Sequence, residues 1–205
     1  MKRIKSFTLI EILVVIAIIG ILAATIYPAL LAVQNSSRRT KTETILTGVN
    51  TAIKMYKGDY YGLPMVGGSV QERIGDWSGN IDFMEPDSTY TTFFDILTYK
   101  NHEDATDEPS SAVKKANSKA KQYLDPPKEY FRVKDNLHSI RDAWNRPIVV
   151  CLDHDGDEIV NLGTYSNGDK ELSGDKELSG DSVAVSLGNQ PDPEKRLNEH
   201  YIVVK

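Results

Sequence analysis

The chain has one cysteine, Cys151, so no intrachain disulfide holds it together. Its surroundings, Pro147-Ile148-Val149-Val150-Cys151-Leu152, read as a buried strand. A packed thiol is expected there, because a nucleophile wants a basic and partly exposed setting. The four histidines, His102, His138, His154 and His200, are scattered, and GxSxG, HExxH, CxxC and Gly-Lys-Ser/Thr patterns are absent. Without these patterns no enzymatic activity is expected. There is no long basic block, and the formal net charge is −5, so nucleic acid is not an expected partner. With 40% hydrophobic and 26% charged residues, the composition is that of a folded chain rather than a disordered one. Its 205 residues suit one domain, with or without an appendage.

Charge is also missing from residues 12–33. That run matches the ~20 residues an α-helix needs to cross a hydrocarbon core. Lys2, Arg3 and Lys5 precede it, and Arg38, Arg39 and Lys41 follow it, so the positive-inside count gives no orientation. Ala23-Ala24-Thr25 imitates a signal-peptide exit site, but the apolar run continues through Ile26, Tyr27 and Leu30. Beyond the polar residues 34–44, apolar side chains recur at Ile45, Leu46, Val49, Ala52, Ile53 and Tyr56, one stripe of a helix. Lys57-Gly58 reads as a cation in the last turn followed by a glycine stop. One helix is therefore expected over residues 7–57, a rod of ~75 Å at 1.5 Å per residue. Pro28 removes one backbone donor within it and is expected to kink it. Glu11 sits at the head of the apolar run. A carboxylate near a bilayer interior costs on the order of 2.5–3.5 kcal/mol and usually marks a function.

Phe7-Thr8-Leu9-Ile10-Glu11, then Gly20-Ile21-Leu22-Ala23-Ala24, then Pro28 resemble the N-terminus of type IV pilins and type II secretion pseudopilins. The resemblance covers about the first thirty residues, with the glutamate, glycine and proline at the family's spacings. It implies a leader, residues 1–6, cut between Ser6 and Phe7 by a prepilin peptidase, with N-methylation of Phe7. One position departs: the family usually has glycine before the cut, and this chain has Ser6. The resemblance also implies that Glu11 pairs with the new amine of Phe7 in a neighbouring subunit, a register mark for assembly. The expected segments are then a leader (1–6), a transmembrane and assembly helix (7–33), its amphipathic continuation (34–57) and an extracytoplasmic domain (58–205). The bacterial inner membrane would hold the helix, and the implied partners are the peptidase, other pilin-like subunits in a filament and an inner-membrane assembly platform.

In the remainder, residues 65–90 are expected to be mostly loop, with a short helix around Phe93, Phe94, Ile96, Leu97 and Tyr99. His102, Glu103 and Asp104 read as a solvated loop before a metal site, and residues 112–123 as a helix ended by Asp125-Pro126-Pro127. Residues 148–152 and 158–162 look like two strands joined as a hairpin through residues 153–157, with Asp155-Gly156 at the turn. Residues 183–187 and 201–204 supply the last strands. The expected fold is α+β, a long helix packed on a small antiparallel sheet. Asp142-Ala143-Trp144-Asn145-Arg146-Pro147 and the following Asn161-Leu162-Gly163 resemble the approach to the sheet in major pseudopilins, matching at the Asp, Trp and Pro.

Calcium is the one candidate cofactor. Asp153, Asp155 and Asp157 form an acidic turn that fails the EF-hand pattern, since aligning Gly156 puts Cys151 and Leu162 at ligand positions. A plain acidic turn is the favoured reading of them. Gly168-Asp-Lys-Glu-Leu-Ser is repeated from Gly174, and Gly180-Asp181-Ser182 begins a third copy. Two copies are too few for a solenoid, and a duplication in a tolerant loop accounts for them. By resemblance to the calcium loop of major pseudopilins, Asp169, Asp175 and Asp181 are further candidates. The favoured function is a structural subunit of a type II secretion pseudopilus. A type IV pilin (adhesion, motility or DNA uptake) is the alternative within the family, and a membrane-tethered calcium- or glycan-binding module the alternative outside it.

Overall fold

The computed structural model describes residues 9–75, 87–100, 108–134, 137–161, 165–167, 170–172, 177–186 and 202–204. The chain forms two compact units, one ending at Arg38 and the other beginning at Arg39. A single helix, α1 (Leu9–Tyr60), contributes to both.

In the first unit α1 is apolar on all sides from Ile12 to Val33, Thr25 apart. Sixteen large apolar side chains between Leu9 and Val33 are exposed, far more than a surface in water sustains. Among the described residues it is the one helix long and apolar enough to cross a membrane. The helix runs on through Pro28, whose ring leaves the carbonyl four residues earlier without its usual donor.

In the second unit the same helix is amphipathic. Ile45, Leu46, Val49, Ala52, Ile53 and Tyr56 are all buried, as their spacing predicts. They pack in one core with Ile74, Phe93, Phe94, Leu97, Ile148 and Val150, among others. Thr42 and Asn50 lie buried on the same face. The Thr42 hydroxyl accepts from the Ala143 N–H at 3.1 Å, and the Ser182 hydroxyl donates to Asn50 Oδ1 at 3.3 Å. These two contacts fix which residues of the helix meet the sheet, which apolar contacts alone do only loosely.

The helix does not stop at Gly58. It continues to Tyr60 and ends at Tyr61, whose φ of 57° is left-handed, with the Tyr61 N–H closing on the Lys57 carbonyl at 2.8 Å. The extra residues are held from outside. Asp59 accepts from Lys121 Nζ at 2.8 Å, from the Tyr123 hydroxyl at 2.7 Å and from Lys119 Nζ at 3.4 Å. Tyr60 stacks on Tyr56 with ring centroids 4.5 Å apart. A glycine stop is therefore overridden by a tertiary clamp.

The expected helix over residues 112–123 is also shorter. α2 (Ser88–Thr98) is capped by Asp87, which accepts from the Tyr90 N–H at 2.7 Å. α3 spans only Ser111–Ala116. Asn117 ends it, because its buried side chain donates to the Ile96 and Lys121 carbonyls (2.8 and 2.7 Å) and accepts from the Lys121 N–H and the Tyr60 hydroxyl (both 3.1 Å). Such an amide satisfies backbone groups that a continuing helix would have paired itself. Residues 121–127 then run on without helical structure.

The strands are short and antiparallel. β1 (Met65–Val66) and β2 (Ser69–Val70) form a hairpin across Gly67 and Gly68, both at positive φ. β3 (Arg73–Ile74) opens the main sheet, so residues 65–90 hold more regular structure than expected. β4 (Phe131–Lys134) and β5 (Leu137–Ile140) pair with each other. The main sheet has the order β12-β11-β6-β3, where β6 is Val149–Leu152, β11 is Ser182–Ser186 and β12 is Ile202–Val204. Val150 and Leu152 of β6 point into the helix-side core, while Val149 and Cys151 on the other face are buried too. Burial pushes the Cys151 thiol up to about 12, so it is the packed thiol expected.

The hairpin through residues 153–157 is not formed. β6 pairs with β11 and β3, whereas β7 (Ile159–Asn161) pairs with β10 (Glu177–Ser179) in a separate two-stranded sheet. A fourth two-stranded ribbon joins β8 (Tyr165–Asn167) to β9 (Lys170–Leu172). The fold is α+β, as expected.

The clamp on Asp59 has a pH signature. Hydrogen bonds from Lys121 and Tyr123, with the Lys119 and Lys121 charges, hold the carboxyl down at about 2. An unfolded aspartate titrates near 3.9, so the contribution is complete above about pH 4 and is lost as pH falls toward 2. Thermal melts across that window should show a shallower acid decline for Asp59→Asn than for the parent, and the gap should shrink in high salt. Parallel curves would mean that the ionic part of the clamp contributes nothing.

Candidate functional site

The sequence directs attention to two places, the head of α1 and the acidic turn. Glu11 lies in the first turn of α1 and is exposed among Leu9, Ile10, Ile12 and Leu13. A carboxylate at that end of a helix is favoured by the backbone dipole. It also stands on a surface otherwise apolar. Ser6 and Phe7 lie outside the described residues, as do His102, Glu103, Asp104, Asp169 and Asp175.

Asp153 is buried where it leaves β6. Its two carboxylate oxygens accept from the Gly156 N–H at 2.7 Å and the Glu158 N–H at 3.0 Å, and Asp157 accepts from the Ile159 N–H at 2.8 Å. Gly156 at φ 83° and Glu158 at φ 61° give the turn its sharp reversal. One carboxylate oxygen from each of Asp153, Asp155 and Asp157 lies within 4.8 Å of the others. Oxygens about 2.4 Å from a calcium ion are at most ~4.8 Å apart, so the three fit part of a six-to-eight-oxygen shell. The backbone contacts leave each carboxylate oxygen a second lone pair.

Asp181 does not join them with its side chain. Its carboxylate pairs with Lys57 Nζ from the last turns of α1, while its carbonyl accepts from the Asp153 N–H at 3.0 Å. The Gly180 N–H likewise reaches the Glu158 carbonyl at 2.9 Å. Asp181 is thus the backbone neighbour of the acidic turn and the side-chain partner of the helix.

One organising residue was not singled out by itself from the sequence. Asp142 is buried and accepts from the Trp144 N–H at 2.8 Å, the Arg146 N–H at 2.9 Å and the Ser186 hydroxyl at 2.7 Å. Burial raises its carboxyl above the usual range, opposed by these hydrogen bonds. It shapes the turn in which Asn145 takes φ 66° and anchors that turn to β11. The signal lay in the Asp-x-Trp-x-x-Pro spacing, an aspartate placed to cap backbone N–H groups two and four residues on in a turn.

Comparison with known proteins bears on the head of α1. Residues 1–27 match the prokaryotic N-terminal methylation motif. The chain is 41% identical over 59 residues to type II secretion system core protein G of Klebsiella pneumoniae, covering 29% of this chain and 42% of that protein. It is 48% identical over 63 residues to the type IV wide pilus major component PilA4 of Thermus thermophilus, covering 29% and 45%. A second core protein G, from Pseudomonas aeruginosa, is 32% identical over 76 residues, covering 37% and 54%. The chain therefore spans about half the length of the curated relatives it matches. No solved structure matches it. The N-terminus is of the prepilin type, and the α+β fold with its long apolar helix is pilin-like.

Removing the Asp142 carboxylate strands two backbone donors and the Ser186 hydroxyl. Asp142→Ala should lower stability by roughly 3 kcal/mol and Ser186→Ala by about 1 kcal/mol, read by urea denaturation. Equal losses would show that the backbone contacts of Asp142 are not what holds the turn.

Proposed function

We propose that this chain is a structural subunit of a membrane-anchored, pilin-like filament, cut after Ser6 by a prepilin peptidase and methylated at Phe7. The observation that carries this is the match of residues 1–27 to the methylation motif, standing at the head of a helix whose apolar surface is exposed on every side. Pairing between Glu11 and the Phe7 amine of a neighbouring copy would offset the cost of placing each charge in a medium of low dielectric. The second unit would then lie outside the inner membrane, with an assembly platform as the partner on the membrane side.

Of the filament types, a type II secretion pseudopilus is favoured, because two of the relatives above are core protein G and the sequence of residues 142–147 resembles the approach to the sheet in major pseudopilins. The type IV pilus relative keeps the pilus reading open. Deleting the gene separates them: loss of secreted proteins from the medium supports the first, and loss of surface fibres with secretion intact supports the second.

The direct test is the mass of the mature N-terminus, expected to be a methylated Phe7. Glu11→Ala should still insert in the membrane but be absent from sheared filaments. An uncut chain, or normal incorporation of that variant, would sink the proposal.

We also propose calcium as the ligand of Asp153, Asp155 and Asp157, supported by their convergence. Millimolar calcium should raise the melting temperature of the parent protein and leave that of Asp155→Asn/Asp157→Asn unchanged. A parent indifferent to calcium and to chelator would leave the acidic turn as a structural turn only.

A further inference from the structure

Residues 171–175 read Glu-Leu-Ser-Gly-Asp, and residues 177–181 read the same. The second set pairs with β7 and reaches the acidic turn. Glu177, Leu178 and Ser179 lie opposite Asn161, Val160 and Ile159 of β7. Gly180, at φ 141°, donates to the Glu158 carbonyl, and Asp181 accepts from Asp153 and pairs with Lys57. Every one of these positions is filled by the same residue type, in the same order, in the first set, including the glycine that the positive φ demands.

A strand that slips by one residue turns its side chains to the wrong face, whereas a slip by an even number keeps them. The repeat is six residues long, so a slip of one copy preserves both the alternation and the side chains. Among the described residues its cost is the β8–β9 ribbon, which pairs Leu172 with Tyr165 and Glu171 with Ser166, together with a new loop of residues 176–181 before Ser182. A lone two-stranded ribbon is marginally stable in water, and moving six residues from one loop to the next changes closure entropy little.

We infer that β7 has two alternative partners within its own chain: β10, and residues 171–173 displaced by one repeat, with Asp175 then replacing Asp181 at Lys57 and at the acidic turn. An intrachain partner is favoured over a neighbouring copy because a short tether holds it at an effective concentration of about millimolar. The slip lengthens the connection leading into β11 by one repeat without releasing the acidic turn, a reserve of chain length at the edge of the sheet.

Ile159 and Ser179 are both exposed, which suits thiol trapping. In the full-length chain in membranes, with Cys151→Ala as background, two pairs are oxidised in a glutathione buffer and read by peptide mass spectrometry. They are Ile159→Cys with Ser179→Cys, and Ile159→Cys with Ser173→Cys. Both should form intrachain disulfides, the first predominating and reporting the folded ribbon. Adding Leu178→Asp should raise the yield of the 159–173 bridge by about tenfold, and adding Leu172→Asp should lower it by a similar factor, since each places a charge opposite Val160 in one register only. Deleting either copy gives the same sequence, and that one-copy chain should bridge position 159 to its remaining serine as fully as the parent's 159–179 pair. A 159–173 bridge that is absent, indifferent to both substitutions, or formed only between chains would overturn the inference.

Discussion

One helix has to satisfy two solvents. From Ile12 to Val33 the side chains of α1, Thr25 apart, are apolar around the full circumference and exposed, so that half needs hydrocarbon or other apolar helices about it. From Ile45 to Tyr56 the same helix is apolar on one stripe only, and that stripe is buried in the second unit. The two demands are compatible because helix hydrogen bonds are internal to the segment and do not depend on the medium. What changes along the helix is the side-chain pattern alone. Residues 34–44 carry the polar change-over, where Arg39 pairs with Glu43 one turn on at 3.0 Å.

The second unit holds its half of the helix with few but specific polar anchors. Thr42 binds the Ala143 backbone, Asn50 meets Ser182, Lys57 pairs with Asp181 and Asp59 is gripped by Lys119, Lys121 and Tyr123. Thr42, Asn50 and Lys57 lie on one side of the helix, the last two reaching the adjacent Ser182 and Asp181, while Asp59 stands on the opposite side and is held by Lys119, Lys121 and Tyr123. A stripe of Ile, Leu and Val tolerates rotation and sliding, because dispersion contacts are non-directional. The hydrogen bonds of the buried Thr42 and Asn50 side chains do not, since a shift leaves a donor or acceptor stranded. The apolar stripe therefore supplies most of the attraction, and the polar anchors determine the register in which it is expressed.

That division explains what could be read from the sequence. The long helix, its apolar stripe, α2, the strand holding Cys151 and the last two strands all follow from periodicity and composition, which are local. The errors fall where a distant side chain decides. Gly58 looked like a helix stop, but Lys121 and Tyr123, more than sixty residues on, hold Asp59 in the helix. Residues 112–123 looked helical, but Asn117 turns inward to the Ile96 carbonyl. The pairing of β6 with β11 rather than β7 is set by contacts thirty residues away in sequence that a turn signal such as Asp155-Gly156 cannot report. At the candidate site, Glu11 and the acidic turn were legible because charge in an unusual place is visible in one dimension. The capping role of Asp142 needed the three backbone and hydroxyl donors to be seen around it.

The repeat carries this reasoning one step further. Its second copy is tied into the fold by contacts that mix backbone and side chain, and the Gly-Asp pair at its end does most of the tying: glycine for the positive φ, the aspartate carbonyl for Asp153 and the aspartate carboxylate for Lys57. Because Lys57 belongs to α1, whatever occupies the Asp181 position reports directly to the helix, and because Asp153 leads out of β6, it reports to the main sheet as well. A duplication anywhere else in the loop would be inert chain. Here it supplies a second Gly-Asp pair at a spacing that keeps every face of the strand, so the same physical constraint that fixes register in an ordinary sheet admits a second, less favoured register in this one.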